Sequence, residues 1–225
     1  MRKLIASLMA LVLVVLTVAV QAQPGQRRGG GFGGPGFGVG VTMLLNNASV
    51  QEELKLDGEQ IEKARALGEQ ARERMMSSFQ ELQGLDGAER FAKMRDLREK
   101  MHAEAVKQAK GFLNPEQVKR LHEIYYQQAG ANAFEDPQLQ NELKLDDEQK
   151  TAIQAIIRES NQQMQYIFSQ GQGNRETAMA KMAELRKKSL ERIEEKLTPD
   201  QKSAYSNLLG SHFEIRFERP GGPGR

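Results

Sequence analysis

Past the glycine-rich start of the chain, apolar residues return every three or four positions over long stretches. Ile61, Ala64, Leu67, Ala71, Met75, Phe79 and Leu82 form one such series; Phe91, Met94, Leu97, Met101, Ala105, Val106 and Phe112 form the next. A second pair follows, with Ile153, Ile156, Ile157, Met164, Ile167 and Phe168, then Met179, Met182, Leu185, Ile193 and Leu197. That period is one face of an α-helix, so the pattern predicts four long amphipathic helices. Short breaker runs, Gln83-Gly84 and Gln170-Gly171-Gln172-Gly173, divide the members of each pair. Each pair is therefore expected to be an antiparallel helical hairpin.

The polar punctuation says where helices begin. Four segments read Leu-x-x-x-Gln: Leu56 to Gln60, Leu113 to Gln117, Leu145 to Gln149 and Leu197 to Gln201. Their second residues, Asp57, Asn114, Asp146 and Thr198, are favoured N-caps, and Gln follows three positions later. In such a capping box the cap oxygen accepts from the N3 amide, and the Gln side chain returns to the cap amide. Pro115 and Pro199 fall at the first helical position, where a missing N–H costs nothing. The leading Leu is placed for a hydrophobic staple. Asp86 to Glu89 predicts a further cap, and Asn174 its counterpart. Short closing helices are expected through Leu121, Ile124 and Tyr125, and through Tyr205, Leu208 and Leu209. Brief lead-in helices are expected around Met43 to Leu54 and Phe134 to Leu143.

The same pieces recur in the same order. Residues 51–60 match 140–149 at eight of ten positions, an offset of 89; Ala92-Lys93-Met94 recurs at Ala180-Lys181-Met182; and Leu113 to Gln117 recurs at Leu197 to Gln201, an offset of 84. The chain is thus read as all-α, two tandem antiparallel helical hairpins with short flanking helices. The first repeat covers 43–130 and the second 131–213.

The ends differ from this middle. Arg2 and Lys3 precede an apolar run from Leu4 to Val20, and Val20-Gln21-Ala22 supplies small residues for cleavage, the layout of a secretory signal peptide. Removal of 1–22 is expected, with an uncleaved anchor the alternative. Residues 23–42 are Gly-rich and read as a disordered tether, and 214–225 as a disordered tail. Without any Cys, disulfides, thiol chemistry and a lipoprotein anchor are excluded. The expected location is periplasmic or otherwise exported, with no stable membrane insertion after cleavage.

Cleavage after Ala22 leaves 30 basic and 30 acidic residues, a formal charge of zero. Nucleic-acid binding needs a surplus of cations and is set aside. No catalytic constellation is found. His102, His122 and His212 are scattered without a His pair at i, i+4, and each reads as a lone surface histidine rather than a metal ligand. The methionines beyond Gly40 read as core at helical spacing rather than as a soft-metal track. No cofactor, no metal site and no enzyme is read from these residues.

The capped motifs carry a resemblance. Leu197-Thr198-Pro199-Asp200-Gln201 is a full L-T-x-x-Q match and Leu113-Asn114-Pro115-Glu116-Gln117 a near one. The chain resembles, over about 43–213, the LTxxQ-motif family of bacterial periplasmic proteins (Spy- and CpxP-like), in which one motif opens a helical hairpin and another a short last helix. The order occurs twice here. The resemblance implies a covalent pseudo-dimer acting as an ATP-independent chaperone for unfolded or misfolded envelope proteins. A regulatory or scaffolding partner of an envelope stress sensor and a metal-responsive periplasmic protein are the alternatives. Client-binding residues and oligomeric state stay open.

Overall fold

A computed structural model describes residues 40–170 and 175–216. The expected signal peptide, nearly all of the Gly-rich stretch and the cap assigned to Asn174 lie outside the described residues, as does the chain from residue 217. Every regular element among the described residues is helical. Two short helices, α1 (Val41–Leu45) and α2 (Ala48–Glu53), lead into α3 (Gly58–Leu82), α4 (Gly87–Lys110) and α5 (Pro115–Ala129). A 3₁₀ turn over Gly130–Glu135 then leads to α6 (Pro137–Glu142), α7 (Asp147–Gln170), α8 (Arg175–Glu194) and α9 (Pro199–Leu209). The fold is all-α, as the apolar period predicts.

Helices α3 and α4 pack on each other, as do α7 and α8. Lys93 pairs with Glu81 near the turn at 3.1 Å, and Gln108 with Gln70 far from it at 3.0 Å, an antiparallel register. In the second pair Arg192 reaches Glu159 at 2.9 Å, and Ser189 donates to Ser160 at 2.8 Å.

Two apolar cores result. The first gathers α1, α2 and the adjoining ends of α3, α4 and α5 around residues such as Leu44, Leu45, Val50, Leu121 and Ile124. The second gathers Tyr126, Phe134, Leu139, Ile153, Ile157, Ile193 and Tyr205. Tyr125 packs against both, and α5 lies on α9.

Local geometry repeats between the halves. Lys55 and Lys144 both take φ 51, the left-handed conformation usual for glycine. Each follows a short helix, α2 or α6. The next amide, Leu56 or Leu145, donates 3.0 Å back to Gln51 or Gln140, closing a Schellman turn that satisfies a terminal carbonyl. The chain at the end of α5 and the segment following α9 behave alike too. Ala129 and Ala131 pack against the second core, and Phe213 and Ile215, 84 residues later, pack against the first.

The edges differ from those read in the sequence. Val41, assigned to the tether, starts α1 and is 1 % exposed, because its side chain packs into the first core. Glu214, Ile215 and Arg216, assigned to the tail, belong to a segment fastened to α2 and α5, where Ile215 packs on the first core. The lead-in helix divides at Asn46-Asn47. Asn46 donates its side-chain amide to the Thr42 and Ala64 carbonyls at 2.8 and 2.9 Å, while Asn47 caps α2. Gly68 admits Asn46, since a Cβ there would lie 2.6 Å from its amide nitrogen.

Candidate functional site

All four Leu-x-x-x-Gln segments form reciprocal capping boxes. Gln60 N–H donates to Asp57 Oδ1 at 2.8 Å and Asp57 N–H to Gln60 Oε1 at 3.1 Å; the matching bonds at Asp146 and Gln149 are 2.7 and 3.1 Å. Asn114 with Gln117, and Thr198 with Gln201, cap α5 and α9 in the same way. Leu113, Leu145 and Leu197 are buried and Leu56 half-buried, as staple residues should be.

Sequence reasoning missed what these glutamines do next. Gln60 and Gln117 face each other as a cyclic amide pair: Gln60 Nε2 donates to Gln117 Oε1 at 2.8 Å, and Gln117 Nε2 donates back at 3.0 Å. The second proton of each amide goes to a carbonyl, Phe112 at 2.9 Å and Leu54 at 3.1 Å. Every donor and acceptor position of both side chains is filled. Gln149 and Gln201 repeat the pair at 2.7 and 3.0 Å, with bonds to Lys196 at 2.8 Å and Lys144 at 3.5 Å. Each pair ties the start of the long first helix to the start of the short last one. These residues are structural, and the spacing of two motifs within each repeat was their signal.

The methionines depart from expectation: none among the described residues is buried. From Gly68 to Met101 only Leu82 is buried among the described side chains, and from Asn161 to Lys188 only Ala178. Among the described residues no third element covers the far halves of the helix pairs, so most of their apolar residues are left exposed or half-buried. Met76, Tyr166, Phe168 and Met179 are 53–67 % exposed. Tyr166 and Phe168, two residues apart, look out from different sides of α7. Residues Asn161 to Asn174 also hold no charge, in a chain where 28 % of residues are charged. Exposed aromatic residues thus stand in a charge-depleted stretch. That depletion was readable from the sequence.

Two of the histidines are not lone surface groups. His102 of α4 and His122 of α5 lie half-buried around Asp136, the N-cap of α6. His102 Nε2 stands 3.7 Å from Asp136 Oδ2, and its ring stacks on Tyr125 with centroids 4.6 Å apart. Tyr126 donates to Asp136 at 3.4 Å, and the Gln138 N–H donates to the same carboxylate at 2.9 Å. His212 is exposed. The cluster links both halves, but among the described residues no three His, Asp or Glu side chains gather to hold a metal ion. Beside it a cavity of about 450 Å³ opens between α5, α6 and α9, lined by Leu113, Val118, Tyr126 and Leu208 with His122 at its edge.

Burial holds His122 below its ordinary value, helped by Lys110. Burial alone would push Asp136 up, but His102 and the Gln138 amide outweigh it and hold the carboxyl below the usual range. The unfolded chain therefore takes up a proton on His122 before the folded one does. Stability from this site is complete above the ordinary histidine value near 6.5 and falls as pH drops through it. A second loss follows below the ordinary Asp value of 3.8, as Asp136 protonates. Urea unfolding at stepped pH is expected to show both, and His122→Gln is expected to remove the first only.

No protein-family model, no curated protein and no solved structure matches this chain. No helix among the described residues is long and apolar enough to cross a membrane.

Proposed function

We propose that this chain is an exported, ATP-independent chaperone-like protein that holds unfolded or misfolded polypeptides of the envelope. The observation that carries the reading is the open end of the second helix pair, where Tyr166, Phe168 and Met179 stand exposed beside an uncharged stretch. A non-native polypeptide offers apolar segments of no fixed shape. Flexible methionines and protruding aromatics suit such a ligand, because they adapt without needing one complementary surface. The half-buried Met164 and Ile167 of α7 and Met182 and Leu185 of α8 add to the apolar area of this helix pair.

The LTxxQ resemblance supports the same reading, and so does the repeated geometry of the halves, which suits a covalent pseudo-dimer of two Spy-like units. The paired glutamines then have the role of holding each unit rigid at its base while the far end stays uncovered. The test is light scattering from a chemically unfolded model client diluted into buffer without ATP. Near-stoichiometric amounts of this protein are expected to suppress aggregation. Unchanged scattering at a large molar excess would end the proposal.

A further inference from the structure

The segment after α9 has an unusual mode of attachment. From Ser211 to Arg216 it carries no helix, and its side chains alternate: Phe213 and Ile215 half-buried on the first core, His212, Glu214 and Arg216 exposed. That alternation is an extended chain's. Its backbone is held by side chains of α5, α2 and the Asn47 cap of α2. Gln127 of α5 donates to the Leu209 and Ser211 carbonyls at 2.6 and 2.8 Å and accepts from the Phe213 N–H at 2.9 Å. Arg120 donates to the Ser211 carbonyl at 2.9 Å while bound to Glu53 and Glu123, both at 2.8 Å. The Arg216 N–H donates to Ser49 Oγ at 3.1 Å, and Asn47 donates to the Arg216 carbonyl at 3.0 Å.

Of the segment's contacts with charged groups, the Arg216–Glu52 ion pair, at 2.6 Å and exposed, and the Arg120 guanidinium 5.9 Å from the centre of the Phe213 ring read side chains. The other polar contacts read main-chain groups, which every residue but proline supplies in full. Shape requirements reduce to two apolar side chains at alternate positions. The counterpart at the second core, Ala129 at the end of α5 and Ala131 in the 3₁₀ turn, is internal to the chain and runs on into α6. The first groove is filled instead by a segment beyond the last helix.

We propose that the groove between α2 and α5 is a binding site for extended polypeptide segments with apolar residues at i and i+2, and that Ser211–Arg216 is its intramolecular occupant. Main-chain capture of an extended segment, with pockets for alternate side chains, supplies affinity without strict sequence choice. The tethered segment competes at an effective concentration of about millimolar, so an outside peptide enters only as it lifts away. The site is separate from the open end of α7 and does not rest on its role.

The probe is the fluorescein-labelled hexapeptide Ser-His-Phe-Glu-Ile-Arg, titrated by anisotropy into the full chain and its Phe213→Ser/Ile215→Ser variant. The variant is expected to bind about tenfold or more tighter than the parent, because its own segment no longer holds the groove. A control peptide with serine at both apolar positions should not bind. Equal affinity for both proteins, or binding to neither, would overturn the proposal. Hydrogen exchange on the unsubstituted protein decides it without any folding risk. Excess peptide should speed exchange at the Phe213 and Arg216 amides, and unchanged protection there would equally overturn it.

Discussion

Gln117→Ala is expected to destabilise the protein by about 3 kcal/mol, the sum of a lost cap near 1 and orphaned buried partners near 2. Gln117 is only 8 % exposed. Its removal takes a partner from the Asn114 N–H, the Leu54 carbonyl and both polar atoms of Gln60, and the bond to Leu54 is fully buried. Gln201→Ala should cost nearer 1 kcal/mol, because that side chain is half-exposed and its outer bond, to Lys144, is already 3.5 Å long. Urea unfolding followed by far-ultraviolet circular dichroism measures both. A cycle with Gln60→Ala should give a coupling of roughly 1 kcal/mol, as for residues in one hydrogen-bond network. A coupling near zero in that cycle would mean that the amide pair adds nothing beyond capping.

The second large effect falls on client holding rather than on stability. Replacing Tyr166, Phe168 and Met179 together by Gln is expected to reduce suppression of client aggregation about tenfold or more, on the scale of losing interface anchors worth over 1 kcal/mol each. The three side chains are more than half exposed, so the unfolding free energy should change by no more than about 0.5 kcal/mol per site. Gln already abounds in this part of α7 and keeps the helix propensity. Loss of holding with a preserved melting curve is the informative result. Full activity in the triple variant would locate client binding elsewhere, with the groove between α2 and α5 the next place to look.

The ion pairs of the outer helix faces have a lesser role. Lys63–Glu59, Lys100–Asp96 and Lys188–Glu184 sit at i, i+4 with both partners largely exposed. Such exposed pairs are screened by water and salt and add little to stability. Arg120 is different in kind, since it joins Glu53 of α2, Glu123 of its own helix and the segment after α9.

Local chemistry was enough to place the helices. A cap oxygen, a Gln three residues on and a proline at the first position act within one turn, so Asp57, Asn114, Asp146 and Thr198 marked helix starts directly. The apolar period likewise gave the long helices, because a helix face is a property of consecutive residues. What no stretch of sequence contains is the neighbour that an outward-facing side chain meets. Only the tertiary structure brought Gln60 to Gln117 across 57 residues, His102 and His122 to Asp136, and Phe213 back to the first core. It also decided that the methionines of the far helix ends stay uncovered: the period fixes which side of a helix is apolar, but burial needs another element within reach, and beyond the base of each pair none of the described residues supplies one.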